Sequence, residues 1–412
     1  MDNTSINIVL QSRVSAEEKT RHLFFWALVI SLSSFVLMKT AWPHAQEFKY
    51  IAPIGLALVL YRFFIVLSVM RGWQLRLILI SCPSFLITAC IVDLPENVIY
   101  PYFFAVSAYN ISFRKIIKYF LLINVTIWLL TTFAVVVHIL PNITGDDRET
   151  LDAINIESSG GTVSRYNFGY NYPTDYAAHL TYICIMWFVI RGRNVRYYDY
   201  VLFLLGAIHV YRNCDARLDT ICIVLTLLLF FIYSHSSHSS FWSWRIVKKG
   251  IICASVMAAA LIILLTCQYR VDPTDEIIMA IDLLSSGRLN LGAEALDEYG
   301  ISLLGQYIKF YYHDDPVRYN FIDSSFVQLL IVYGVLFFLF SLFCHVYINK
   351  KNMEKLQLYV PLAICIVSLH SVVFQGFMNF QFNPFYLGLF AIQDITELRM
   401  LEDSENLVTL SN

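Results

Sequence analysis

The run KGIICASVMAAALIILLTC (residues 249–267) passes directly into QYRVDPTDEIIMAIDLLSSGRLNLGAEALDEYG (residues 268–300), and this junction decides how the chain is read. The first stretch is long enough to cross about 30 Å of hydrocarbon as a helix. The second is polar and aromatic, rich in Asp, and carries Arg270 and Arg288. It continues through Lys309, His313 and Arg318 to Asp323, where apolar sequence resumes. A large charged loop between two membrane spans is where recognition or chemistry concentrates.

Composition generalises the local pattern. Of 412 residues, 58% are hydrophobic and only 15% charged, where a soluble chain would carry about 25% charge. Mean hydropathy is +0.59. The reading is one all-α integral membrane domain over residues 1–412, a polytopic helical bundle. The formal net charge of −2 singles out no partner, and no basic tract points to nucleic acid. The nine cysteines lie mostly inside apolar runs without metal-binding spacing, as packing residues do. Cys214 and Cys267, near span ends, are the one pair placed for an outer disulfide.

Apolar runs predict spans near 22–39, 50–69, 75–92, 97–111, 117–140, 173–190, 198–211, 218–234, 249–267, 324–348, 356–376 and 381–395, about 12 in all. Basic clusters alternate with them: Arg71 and Arg76; Arg114, Lys115 and Lys118; Arg191, Arg193 and Arg196; Arg245, Lys248 and Lys249; Lys350, Lys351 and Lys355. All fall on one side if both termini are cytoplasmic, as the positive-inside rule requires. Loops 141–172 and 268–323 then face outward. In the larger loop, Ile277, Ile278, Ile281 and Leu284 predict an amphipathic interfacial helix beginning near Pro273-Thr274. Ser285-Ser286-Gly287 breaks it, and a second helix runs from Arg288 to Tyr299, stopped by Gly300. Arg62, inside the second span, is expected to snorkel to the cytoplasmic edge.

Outward arginines run against the charge trend, so each needs a local reason. Arg165 stands among Tyr166, Asn167, Tyr170 and Tyr172, a planar charged fork suited to phosphate beside side chains suited to sugars. Lipid headgroups or Asp175 would also explain it. Arg217, between Asp215 and Asp219, begins a helix whose dipole opposes it; a bound anion or a local ion pair would account for it. Arg288 follows Ser286-Gly287, where free N–H groups and a guanidinium could cradle phosphate. His313, Asp315 and Asp323 are candidate general bases. Asp323 also fits a helix N-cap. No metal site is expected.

In this order the pieces resemble the O-antigen polymerase and ligase superfamily, particularly Wzy-type polysaccharide repeat-unit polymerases. The likeness rests on Arg165-Tyr-Asn-Phe-Gly-Tyr-Asn-Tyr-Pro-Thr, on Asp215-Ala-Arg217 (where the family tends to have Ser before Arg), and on Ser286-Gly-Arg288. Leu304-Gly305, Phe321-Ile-Asp323-Ser-Ser-Phe and Tyr333-Gly334 follow in the same order. Membership implies transfer of a glycan from undecaprenyl diphosphate to a hydroxyl of another lipid-linked repeat unit, with inversion, on the outer face of a bacterial cytoplasmic membrane. It implies Arg165, Arg217, Arg288, His313 and Asp323 as catalytic candidates. Tyr166, Asn167, Tyr170, Tyr176 and Asp215 would contact substrate. No cofactor is implied; membrane lipid and a chain-length regulator protein are the expected partners. A ligase using another acceptor would share these features. A lipid-linked oligosaccharide flippase is the alternative of a different class, although no internal repeat is visible.

Overall fold

The computed structural model describes residues 17–142, 165–236, 239–311, 320–354 and 358–393. Among them it is helical, with two isolated backbone bridges and no strand. In chain order the helices are α1 (Arg21–Leu37), α2 (Ala52–Val69), α3 (Trp73–Ile91), α4 (Glu96–Ser107), α5 (Phe113–Val136) and α6 (Pro173–Arg191). α7 (Tyr197–Cys214), α8 (Arg217–Ser236), α9 (Arg245–Ile252), α10 (Ala254–Val271), α11 (Glu276–Leu284) and α12 (Arg288–Tyr299) follow. α13 (Ser325–Ile331), α14 (Gly334–Glu354) and α15 (Tyr359–His370) complete the set. Six helices among the described residues are long and apolar enough to cross a membrane: α1 extended back to Glu17, α2 with the turn before it, α3, α5, α8 and α10.

Burial separates lipid-facing from protein-facing helices. Phe64 of α2, Ile80 of α3, Leu122 and Phe133 of α5, Leu205 of α7 and Leu264 of α10 are all exposed, as an apolar belt against hydrocarbon requires. α6 is the opposite case. It is buried along nearly its whole length, from Pro173 and Asp175 to Phe188, and packs on α5, α7, α8 and α15. It starts with proline, whose missing N–H costs nothing in a first turn, and Gly192 ends it.

Several stretches expected as single spans are divided. The 324–348 run breaks at Gly334 into α13 and α14, and the 249–267 run breaks at Cys253 between α9 and α10. The 97–111 run yields only the short α4. The 381–395 run forms no α-helix among its described residues, only a 3-10 turn over Phe385–Leu389. Here Asn379, Asn383-Pro384 and Gly388 oppose helix: Asn side chains compete for the backbone and proline disfavours helix before it. Irregular backbone that is buried needs its polar groups satisfied inside the protein or by water. Segment 371–393 meets that demand through side chains. Ser325 Oγ donates to Phe374 O at 2.6 Å and accepts from Phe377 N at 3.1 Å. Asn383 Nδ2 donates to Phe377 O and its Oδ1 accepts from Phe385 N. Ile392 pairs with Ile111 and Phe113.

Arg62 corrects its expectation. It does not snorkel; its side chain is fully buried and pairs with Glu17 Oε1 at 2.8 Å. It also donates to Ser107 O, Tyr109 O and Thr20 Oγ1 at 2.8–3.0 Å. The partners come from two separate segments, so the guanidinium on α2 joins the start of α1 to the end of α4.

The basic clusters meet at this end of the bundle. Arg114 donates to Ile190 O, Asn349 to Ile251 O and Asn352 to Gln393 Oε1, while Trp73 packs on Tyr347. The opposite end gathers 38–41, 165–172, 213–219, 288, 323–325 and 370–374.

Candidate functional site

The segment 165–172 is laced to both its neighbours. On one side Tyr166 N donates to Asn213 O at 2.7 Å and Arg165 Nε to Cys214 O at 2.8 Å. On the other, Ala41 N donates to Gly169 O and Asn171 N to Lys39 O, each at 2.8 Å. This clamp ties the α7–α8 turn to the C-terminal end of α1. Arg165 is buried and Asn167 lies beneath the surface with it. Tyr170 and Tyr176 are core residues, 0% and 1% exposed. Tyr176 stacks on Trp128 and bonds His209, and burial pushes the Tyr170 phenol well above its ordinary pKa. Of these tyrosines only half-buried Tyr166 and exposed Tyr172 reach the surface.

Arg217 stands free of the fold by comparison. Its side chain is 74% exposed, with Nε 3.3 Å from Asp215 Oδ1. Asp215 holds a left-handed conformation at the turn, which aims the pair outward from the α8 N-terminus. Cys214 and Cys267 are free thiols, the first buried with Sγ against Tyr166 O and the second exposed on α10. The two are not joined.

Arg288 opens α12 as expected, after Ser286 and Gly287 turn the chain with positive φ. The cradle around it is different. Asp282 Oδ1 accepts Leu289 N at 2.8 Å and Asn290 N at 3.2 Å, so the first-turn amides already hold a carboxylate. The guanidinium donates to Val373 O at 2.9 Å and Ser285 O at 2.7 Å, and Nη2 lies 3.6 Å from Asp323 Oδ2. Arg288 and Asp323 are thus brought together, each partly exposed. Asp323 is not the N-cap of α13; Ser324 holds that position. The amphipathic helix before the turn is α11, capped by Asp275 rather than started by Pro273-Thr274, with Ile278 inward and Ile277, Leu283 and Leu284 exposed. His313 and Asp315 lie outside the described residues.

Two other motifs meet directly. Gln306 N donates to Val332 O and Leu336 N to Leu303 O, so Leu304-Gly305 packs against Tyr333-Gly334. A β-carbon on Gly305 would stand 2.7 Å from Val332 O, and one on Gly334 would run into Gly305 N. Next to this contact is a shallow cleft with room for little more than a water molecule, lined by Asn97, Ser325, Gln328, Tyr333, Gln375 and Asn379 with Leu329 and Met378. Its amides and hydroxyls are groups that recognise sugars.

Three residues with no expected role also belong to this end. Lys39 acts electrostatically on Glu96, Asp175 and His179, while burial holds the Glu96 carboxyl above its ordinary range. Asp219 accepts hydrogen bonds from Thr181 and His370, each 3.0 Å from Oδ1. An ionisable residue inside an apolar run is itself a signal, and His370 in 356–376 carried it. No group of three or more potential metal-ligating side chains occurs among the described residues.

The fold therefore defines a helical protein with membrane-length apolar helices and one end that holds Arg165, Arg217 and Arg288 among several carboxylates. Compared with family models, curated proteins and solved structures, the chain matches none.

Proposed function

We propose that the protein is a polysaccharide polymerase of the Wzy type, joining lipid-diphosphate-linked repeat units at the outer face of a bacterial cytoplasmic membrane. The observation that carries this reading is the gathering of Arg165, Arg217 and Arg288 at the end opposite the basic clusters. On the positive-inside rule that end faces outward, with both termini cytoplasmic. A departing lipid diphosphate needs its growing charge neutralised by fixed cations. Arg217 is the most available to a ligand; Arg165 and Arg288 are held by backbone carbonyls, which pre-orients them. Lys39 adds a fourth cation.

Acceptor sugars would use Tyr166, Tyr172 and the amide-lined cleft, with Asp323, beside Arg288, the described candidate for taking the acceptor proton. The donor and acceptor are undecaprenyl-diphosphate-linked glycans, and a chain-length regulator is the expected protein partner. A ligase of the same superfamily would use the same cations with another acceptor. One observation favours a reading from a different class: the irregular 371–393 segment inside the bundle resembles the broken elements of transporters, which supports a lipid-linked oligosaccharide flippase. Lipid-linked glycans from a strain lacking the gene separate these. Loss of the polymerase leaves single repeat units on the outer leaflet; loss of a flippase traps them on the inner one.

A further inference from the structure

We infer that Asp219 and His370 are a buried positioning pair that holds the two arginine-bearing corners in register. The inference rests on reading this end as a diphosphate site. His370 Nε2 lies 3.0 Å from Asp219 Oδ1, with the imidazole fully buried and the carboxylate 6% exposed. Thr181 Oγ1 donates to the same oxygen. An ionised carboxylate only accepts, so Nε2 carries the proton, and the bond is of the stronger, charge-assisted kind.

Position in the chain says what the bond connects. Asp219 lies in the first turn of α8, two residues beyond Arg217. His370 is the last residue of α15, three before Val373, whose carbonyl takes Arg288 Nε. Ser371 O accepts Ser325 N at 3.1 Å, two residues beyond Asp323. Thr181 brings in α6, which follows directly on the Arg165 segment. One carboxylate oxygen thereby links the elements that carry Arg165, Arg217, Arg288 and Asp323.

Packing alone does not explain a histidine here. Its other nitrogen, Nδ1, is buried with no partner, a cost that a hydrocarbon side chain of similar size would avoid. The rings of Tyr182 and Phe374 lie against it at 5.5 and 4.7 Å and would accommodate such a chain. What the imidazole adds is the N–H directed at Asp219. Misplacing reacting groups by about 1 Å costs on the order of a hundredfold in rate, so the bond acts through the arginines it aligns.

The test uses the full chain, expressed in its own host lacking the gene, with lipid-linked glycan length as readout and membrane level of the protein as control. His370→Leu is expected to insert normally and to lower chain extension by about ten- to a hundredfold. His370→Gln keeps a donor for Asp219 and is expected to recover most of the extension. Asp219→Asn keeps the acceptor and is expected to do the same. Full extension by His370→Leu, or equal loss in the inserted His370→Gln chain, overturns the inference. Loss in an inserted Asp219→Asn chain also overturns it, because the pair would then be handling a proton. If His370→Leu does not insert, His370→Gln decides alone. Arg165→Ala and Arg217→Ala run alongside. Normal polymer in both defeats the diphosphate reading itself, whereas loss there with full extension in His370→Leu defeats only the pair.

Discussion

Asp282 Oδ1 accepts the backbone N–H of Leu289 at 2.8 Å, across the turn that separates α11 from α12. Because Asn290 N reaches the same oxygen, the N-terminus that looked ready for a phosphate is capped from within. Arg288 meets any ligand through its side chain alone. Asp282→Ala is expected to cost about 0.5–2 kcal/mol locally, as loss of a helix cap does, and to loosen the loop around Arg288. Limited proteolysis at the 285–288 turn, faster than wild type in Asp282→Ala but not in Asp282→Asn, is the measurement. Equal rates in all three would show that the cap does not hold the turn.

Truncating the cations should stop extension without unfolding the protein. Arg217→Ala, at an exposed side chain, is expected to lower extension by about a hundred- to a thousandfold, the usual cost of one charge-stabilising donor. Membrane levels should stay unchanged. Arg165→Ala and Arg288→Ala are expected to do the same while accumulating single repeat units on lipid. Normal polymer length in any of them removes that arginine from the site.

Gly334→Ala is expected to abolish folded protein. Gly334 has φ +85°, and a β-carbon there would run into Gly305 N and Leu303 O, so the substitution meets both backbone strain and collision with main chain. Detergent-resistant monomer on size-exclusion chromatography at wild-type yield would contradict the close approach.

The Arg62–Glu17 pair is buried, and without Arg62 the carboxylate of Glu17 keeps, among the described residues, only the part-exposed Arg21. Arg62→Met is expected to destabilise by about 3–5 kcal/mol, because it breaks a buried pair and takes the donor from Ser107 O and Tyr109 O. The double variant Arg62→Met with Glu17→Gln should regain part of that loss. Thermal melts in detergent compare the two, and a single variant as stable as wild type would mean the pair contributes little.

Orientation is open to a direct probe. Arg217 and Tyr197 are both exposed and stand at opposite ends of neighbouring helices. With exposed native cysteines replaced by serine, Arg217→Cys should react with a membrane-impermeant maleimide on intact spheroplasts. Tyr197→Cys should react only after permeabilisation. The reverse pattern would place the Arg217 end in the cytoplasm and end the polymerase reading.

The site was legible in part. Arg165, Arg217 and Arg288 stood out because they run against the positive-inside charge trend, and the structure sets them at one end. Tyr170 and Tyr176 were not distinguishable from Tyr166 and Tyr172, because burial depends on what α5 and α7 place beside them. His370 and Lys39 were hidden for the same reason: a lone ionisable residue near an apolar run gives no hint of its partner.

Hydropathy is a local property, and the sequence by itself determined what hydropathy controls: apolar helices and a polar insert carrying α11 and α12, although it led to about 12 expected spans where six of the described helices have membrane length. Breaks that have their own residues, such as Ser286-Gly287 and Gly300, were local too. Tertiary structure alone decided which side chains hold the irregular 371–393 segment, that Gly305 and Gly334 touch, that Asp282 caps α12, and that Asp219 meets His370. Each of these joins groups brought together by packing or a turn, so its energy exists only once the helices are side by side.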